Sequence, residues 1–176
     1  LKDVFRPGHA DFTFDAKYKG FRDYRGGGRS SGRETAARVA AGAVANQILI
    51  QKGIKITAYT TKAAGIEISK KDFSQIEQNS MRAPDNDAAK LMQEKIKELQ
   101  AAGNSAGGII ECVIQNCPIG VGEPVFDKLD AELAKAMLSI GAIKGFEIGD
   151  GFAVADSFGS ENNDKMRTSD GEIYFE

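Results

Sequence analysis

The apolar positions of this chain change period several times, and each change marks an element. Across residues 32–52, Ala36, Ala37, Ala40, Ala41, Ala43 and Ala45 alternate with Val39, Val44, Ile48 and Leu49 at helical spacing. Ser31 and Glu34 have the S-x-x-E spacing of a capping box, and Gly53 stands where a left-handed residue closes a helix. Such small side chains keep a helix narrow, so this one is expected to pack on several sides and to lie centrally. Residues 54–60 alternate at period two and predict a strand, with a short extended piece at 65–68. Residues 72–84 read as irregular. Asp85 or Asn86 then caps a helix to about residue 102, where Leu91, Met92, Ile96 and Leu99 form the apolar stripe and Gly103 ends it.

The remaining segments are read in the same way. Phe12-Thr13-Phe14-Asp15 alternates and predicts a short strand or extended segment, whereas residues 19–32 are loop by their glycine content. Residues 107–117 read as a buried strand. Residues 126–140 read as a helix with Phe126, Leu129, Leu133 and Met137 on one face, and Glu123 is expected to cap it. Residues 141–152 read as a strand broken by glycines, and the polar last 20 or so residues show no terminating element. Helices and strands mix without regular βαβ units. The fold class is therefore α+β, with mostly antiparallel sheet packed on helices.

Length and composition narrow this picture. With 176 residues, 41% of them hydrophobic and 27% charged, the chain is expected to form a single domain over residues 1–176 around one well-buried core. No apolar run approaches the roughly 20 residues that cross a bilayer, and no signal-peptide order opens the chain, so the expectation is a cytoplasmic protein with no membrane partner. Cys112 and Cys117 are read as buried free thiols, and with one histidine no metal site is expected. The net charge of -2 hides an asymmetry: residues 1–40 carry nine Lys/Arg against five Asp/Glu, and the rest fourteen against twenty. A nucleic-acid protein would be basic over a wider face with aromatics interleaved, so no nucleic-acid partner is expected.

The positive field falls on Arg22-Asp23-Tyr24-Arg25-Gly26-Gly27-Gly28-Arg29-Ser30-Ser31-Gly32-Arg33-Glu34-Thr35. Glycines let the main chain approach a ligand, a helix start offers free N–H groups, and guanidinium planes bind phosphate in pairs of bonds. A triple glycine is commonly just a flexible linker. The capping box and the flanking arginines favour an anion site instead. Gly27 to Gly32 has G-x4-G spacing, but Arg33-Glu34 replaces the Lys-Ser/Thr of a nucleoside-triphosphate loop, and the dinucleotide fingerprint fails at Ser31. His9, in Arg6-Pro7-Gly8-His9-Ala10-Asp11, is the only imidazole. A lone histidine is more often structural than chemical, and its functional reading gains weight only if this loop meets the Gly-Arg loop. Gly141-Ala142 reads, on its own, as ordinary helix-end chemistry.

Four segments taken in order resemble the chorismate synthase family: Arg6-Pro7-Gly8-His9-Ala10-Asp11; Tyr24 to Ala36 with its Gly-Arg run; Gly120-Val121-Gly122-Glu123-Pro124-Val125-Phe126-Asp127-Lys128-Leu129-Asp130; and Lys144-Gly145-Phe146-Glu147-Ile148-Gly149-Asp150-Gly151-Phe152. The resemblance implies helices sandwiched between antiparallel sheets, a homotetramer, and a shikimate-pathway lyase. Its reaction would convert 5-enolpyruvylshikimate 3-phosphate to chorismate by 1,4-anti elimination of phosphate, using reduced FMN, and it connects the family with NADP. Carried over by motif, Arg29, Ser30, Ser31, Gly141 and Ala142 would contact FMN, Arg6 and Arg33 would bind substrate, and His9 would be one of two catalytic histidines. The family's other histidine, in a Gly-Glu-Ser-His-Gly segment, is absent here, as are its Asn-His-x-Gly-Gly and Lys-Pro-Thr segments; Gly32 stands where many relatives have alanine. The chain opens without methionine and is read as the central part of a longer enzyme, inactive alone. The alternatives are a folded scaffold with residual anion or flavin binding, or an unrelated phosphate-binding module.

Overall fold

The structure, a computed structural model, describes residues 2–175. Along the chain it has α1 (Asp11–Lys17), 3-10 turns at Gly28–Ser30 and Gly32–Glu34, α2 (Thr35–Gln51), β1 (Lys55–Ala63), β2 (Ile66–Glu67) and a 3-10 turn at Phe73–Gln78. There follow α3 (Asn86–Ala101), β3 (Gly108–Gln115), β4 (Gly122–Glu123), β5 (Asp127–Lys128), α4 (Leu129–Leu138), a 3-10 turn at Gly151–Asp156, α5 (Gly159–Asn162), β6 (Met166–Ser169) and β7 (Glu172–Phe175). Every strand pairing is antiparallel, in the order β2-β1-β3 and in two hairpins, β4-β5 and β6-β7. This is the α+β class read from the sequence. By residue contacts Val39–Ile119 forms one compact unit, and the flanking segments together form the other.

The Val39–Ile119 unit is built on the β1-β3 pairing, which runs from Lys55↔Gln115 to Ala63↔Gly108 with a bulge between Thr60 and Lys62. Its core is small: Ala63, Ala83, Ala88, Ala89 and a fully buried Met92, with Ile66, Ile68 and Met81 packed around them. Alanines on α3 let the helix approach the sheet end closely. Asp85 caps α3 by accepting from the backbone N–H groups of Asp87 (3.1 Å) and Ala88 (3.2 Å), and it also accepts from Ser69 N and Ser69 Oγ. Gly103, at φ 65°, ends the helix as expected. The apolar stripe is only partly buried, because Leu91 and Ile96 face solvent while Met92 does not.

In the flanking unit five expectations are corrected. Residues 12–15 form helix α1 rather than a strand: Phe14 and Tyr18, four apart, meet edge to face at 5.5 Å, and Phe12 is exposed, so the alternation marked no buried face. Residues 141–152 form no strand. Ala142, Gly149 and Gly151 have φ of 72°, 59° and 55°, which a strand cannot hold. The helix expected from residue 126 starts at Leu129, because Glu123 pairs with Asp127 in the β4-β5 hairpin; Glu123 caps nothing, and Lys128 is the residue before the helix. The C-terminal region does contain an element, the β6-β7 hairpin, whose Asp170-Gly171 turn has φ of 53° and 83° as two-residue hairpins require.

Helix α2 starts at Thr35 rather than at residue 32, because residues 32–34 form a 3-10 turn, and Gly53 closes it at φ 76°; none of its residues is buried, and Val39 is 72% exposed. The expectation of a helix packed on several sides is not met in this chain. β3 likewise leaves Ile109 and Ile110 exposed, and Cys112 and Cys117 are free but exposed rather than buried.

Candidate functional site

The site lies in the flanking unit, where the turn before α1 meets the glycine-rich loop before α2. The hub of the turn is Asp11, the first residue of α1 and only 3% exposed. It receives both ends of the Arg6 guanidinium, Nε at 2.8 Å and Nη2 at 3.0 Å, together with the Arg6 backbone N–H at 3.1 Å. His9 Nδ1 stands 2.9 Å from Asp11 Oδ1. The buried Arg22 adds charge at 3.9 Å from Asp11, reaches Asp15 at 3.4 Å and Lys2 O at 2.8 Å, and lies over the Phe5 ring at 5.1 Å. The Arg6 guanidinium holds the Asp11 carboxyl far below the usual carboxylate range, against the opposing effect of burial. In return Asp11 raises the pKa of Arg6.

The glycine loop is tight. Gly27 at φ 85° and Gly28 at φ 49° turn the chain so that Ser30 N and Ser30 Oγ both donate to Gly27 O. A Cβ on Gly27 would lie 3.0 Å from Ser30 Oγ, 3.4 Å from His9 Cε1 and 3.5 Å from Ser31 N. The histidine turn and the Gly-Arg loop therefore meet at Gly27, which is the condition set for the functional reading of His9. Ser31 is the cap residue of the following turn and accepts from Arg33 N at 3.3 Å. Glu34 does not complete the capping box; its carboxylate faces Arg29 at 3.5 Å. Arg33 folds back to donate to Gly26 O at 3.0 Å, and a Cβ on Gly26 would collide with its Nη2.

Asp23, Arg25, Gly26, Gly28, Ser31, Arg33 and Glu34 border an open groove of about 590 Å³. Its charges are partly paired, since Asp23 accepts from both Arg25 N and Arg25 Nε, which lowers the Asp23 pKa. Arg29 is the projecting cation, its side chain 85% exposed. The structure thus brings Arg6, His9, Ser30, Ser31 and Arg33 into one locality. Gly141 and Ala142 follow the end of α4 in the same unit. Just before them, Ser139 accepts from Arg38, in the first turn of α2, at Oγ (2.8 Å) and at its carbonyl O (3.2 Å). The sequence reading missed Asp11 and Arg22 as buried charges; the one available signal was the opposite charge of Arg6 and Asp11 on either side of His9.

These features define an α+β protein with a carboxylate-held Arg-His pair beside an arginine- and glycine-rich anion cradle. The family model described as chorismate synthase matches residues 1–174. Chorismate synthase of Syntrophobacter fumaroxidans is 54% identical over 171 residues, 97% of this chain and 48% of that protein. That of Christiangramia forsetii is 54% identical over 172 residues, again 48% of its length. A crystal structure of chorismate synthase superposes with a TM-score of 0.84 at 34% identity, covering 94% of this chain and 55% of that one. The chain belongs to the chorismate synthase family. It spans about half the length of the curated relatives it matches.

Proposed function

We propose that this chain is the central part of a chorismate synthase, which removes phosphate and a proton from 5-enolpyruvylshikimate 3-phosphate to give chorismate. The observation that carries this reading is the meeting of His9 with the Gly-Arg loop at Gly27. An imidazole near neutrality is suited to hold or move the proton of an elimination, and guanidinium groups neutralise the departing phosphate. Arg6 serves substrate, with Nε and one Nη2 proton fixed by Asp11 and Nη1 left to reach an anion. Arg33 serves the same substrate from the groove.

Reduced FMN, when bound, would supply electron density to the elimination. The donor set fits it: Arg29 is an exposed cation, Ser31 keeps its hydroxyl proton free, and glycine backbone opens the approach at Gly27. Ser30 Oγ already donates to Gly27 O, so it would accept a bond or hold the loop. Gly141 and Ala142 would complete the flavin contacts from the turn after α4. In the longer enzyme, read as a cytoplasmic homotetramer, residues 1–176 would be part of one domain. The second histidine and further binding residues would come from the other half of its length, so this chain alone would bind without turning over. A second reading, a scaffold with residual anion or flavin binding only, is favoured by the Arg25–Asp23 and Arg29–Glu34 pairs.

Anaerobic titration of this chain with reduced FMN separates the two. The enzyme reading expects saturable binding that weakens about tenfold or more in Arg29→Ala, a loss of roughly 1.4 kcal/mol. Binding indifferent to Arg29 would leave the scaffold reading.

A further inference from the structure

We propose that Asp11 is a positioning residue that clamps the Arg6 guanidinium along its Nε–Nη2 edge and thereby presents Nη1 to an anionic oxygen of the substrate; this rests on the substrate role proposed for Arg6. Three hydrogen bonds carry it. Asp11 Oδ2 accepts from Arg6 Nε at 2.8 Å and Oδ1 from Arg6 Nη2 at 3.0 Å, a paired contact that fixes the plane of a guanidinium as well as its place. Oδ2 also accepts from the Arg6 backbone N–H at 3.1 Å, so one carboxylate holds that residue at both its main chain and its head group. Nη2 lies, in addition, 3.3 Å from His9 Nδ1.

Burial divides the pair. The Asp11 side chain is 3% exposed and that of Arg6 37%. The acid is therefore closed off from a ligand and acts only through the arginine, whose remaining end is Nη1. An arginine free to swing would have to be ordered by each substrate it meets, a cost that prior clamping removes. Asp11→Asn keeps the shape but leaves one acceptor oxygen. Whichever way the amide turns, its NH2 meets an N–H of Arg6, at Nη2 in one orientation and at Nε and the backbone in the other, so the clamp is lost while the volume is kept. Arg6→Lys keeps the charge but has no fork for the carboxylate to hold.

The test is calorimetric titration of 5-enolpyruvylshikimate 3-phosphate into the longer enzyme that carries this chain, with its flavin left oxidised so that binding is read without turnover. Asp11→Asn and Arg6→Ala are each expected to weaken substrate binding about tenfold or more, with FMN affinity held within about twofold. Because the acid acts through the arginine, the double variant should bind substrate no more than about twofold worse than Arg6→Ala alone. An acid that merely supports the fold would lower FMN affinity as well, or add its loss to that of Arg6→Ala; either result overturns the inference, as does wild-type affinity in Asp11→Asn. If Asp11→Asn does not fold, Arg6→Lys decides: a loss close to that of Arg6→Ala is expected, and near-wild-type affinity overturns the inference. Failure of the underlying reading looks different, since Arg6→Ala itself would then bind substrate as the wild type does.

Discussion

A methyl group at Gly27 would stand 3.0 Å from Ser30 Oγ and 3.4 Å from His9 Cε1, on backbone with φ of 85°. Gly27→Ala would therefore carry a left-handed backbone cost of about 1–2 kcal/mol and displace the Ser30 side chain from Gly27 O. Reduced-FMN affinity is expected to fall about tenfold or more by anaerobic titration, while the far-ultraviolet circular dichroism of the chain keeps its helical signal. At this scale the sequence was legible for types and opaque for partners. The arginines, serines and histidine announce anion chemistry by their composition. That Glu34 would turn to Arg29, and that Asp11 would be buried among Arg6, His9 and Arg22, depends on side-chain geometry no spacing encodes.

Helix α3 shows what an element owes to one residue. Asp85 is 1% exposed and takes four hydrogen bonds, from Ser69 twice and from the first turn of the helix. Asp85→Ala removes the cap and leaves those donors without their acceptor, so urea unfolding should show a loss of about 2–3 kcal/mol. The backbone N–H of Ser69, with the helix N–H groups behind it, holds the carboxyl at about 2 against an ordinary 3.8. A lowered folded-state value means that the stabilisation is complete above about pH 4 and is lost as pH falls toward 2. The wild-type helix signal is expected to weaken across that window, and the Asp85→Ala chain to lack that component of acid sensitivity. The stop of α2 and both ends of α3 were readable because caps are local chemistry, whereas Ser31 caps a 3-10 turn and α2 itself starts only at Thr35. The strand expected at 12–15 and the one at 141–152 failed because two phenylalanines alternate without a buried face, and because Ala142, Gly149 and Gly151 adopt positive φ.

For the whole molecule, the exposure of α2 and β3 is the main departure from expectation. Val39, Val44, Ile48 and Ile50 on the helix and Ile109 and Ile110 on the strand all face solvent. The alanine-rich sequence predicted a helix packed on several sides, and in this chain, which spans 48% of the length of the Syntrophobacter fumaroxidans relative, that helix is bare. We expect the isolated chain to bind an apolar dye such as 1-anilinonaphthalene-8-sulfonate strongly, and a protein of the relatives' full length to bind it weakly per chain; equal fluorescence would mean that these faces stay bare. The central claim is that His9 and the Gly-Arg loop are part of a phosphate-eliminating site. The most direct measurement is anaerobic turnover of 5-enolpyruvylshikimate 3-phosphate, with reduced FMN, by the longer enzyme carrying this chain, compared with its His9→Gln variant. The account predicts chorismate and phosphate release by the parent enzyme and a fall in kcat of about 10²–10⁴-fold in the variant. No turnover by the parent enzyme, or an unchanged rate in His9→Gln, would contradict it.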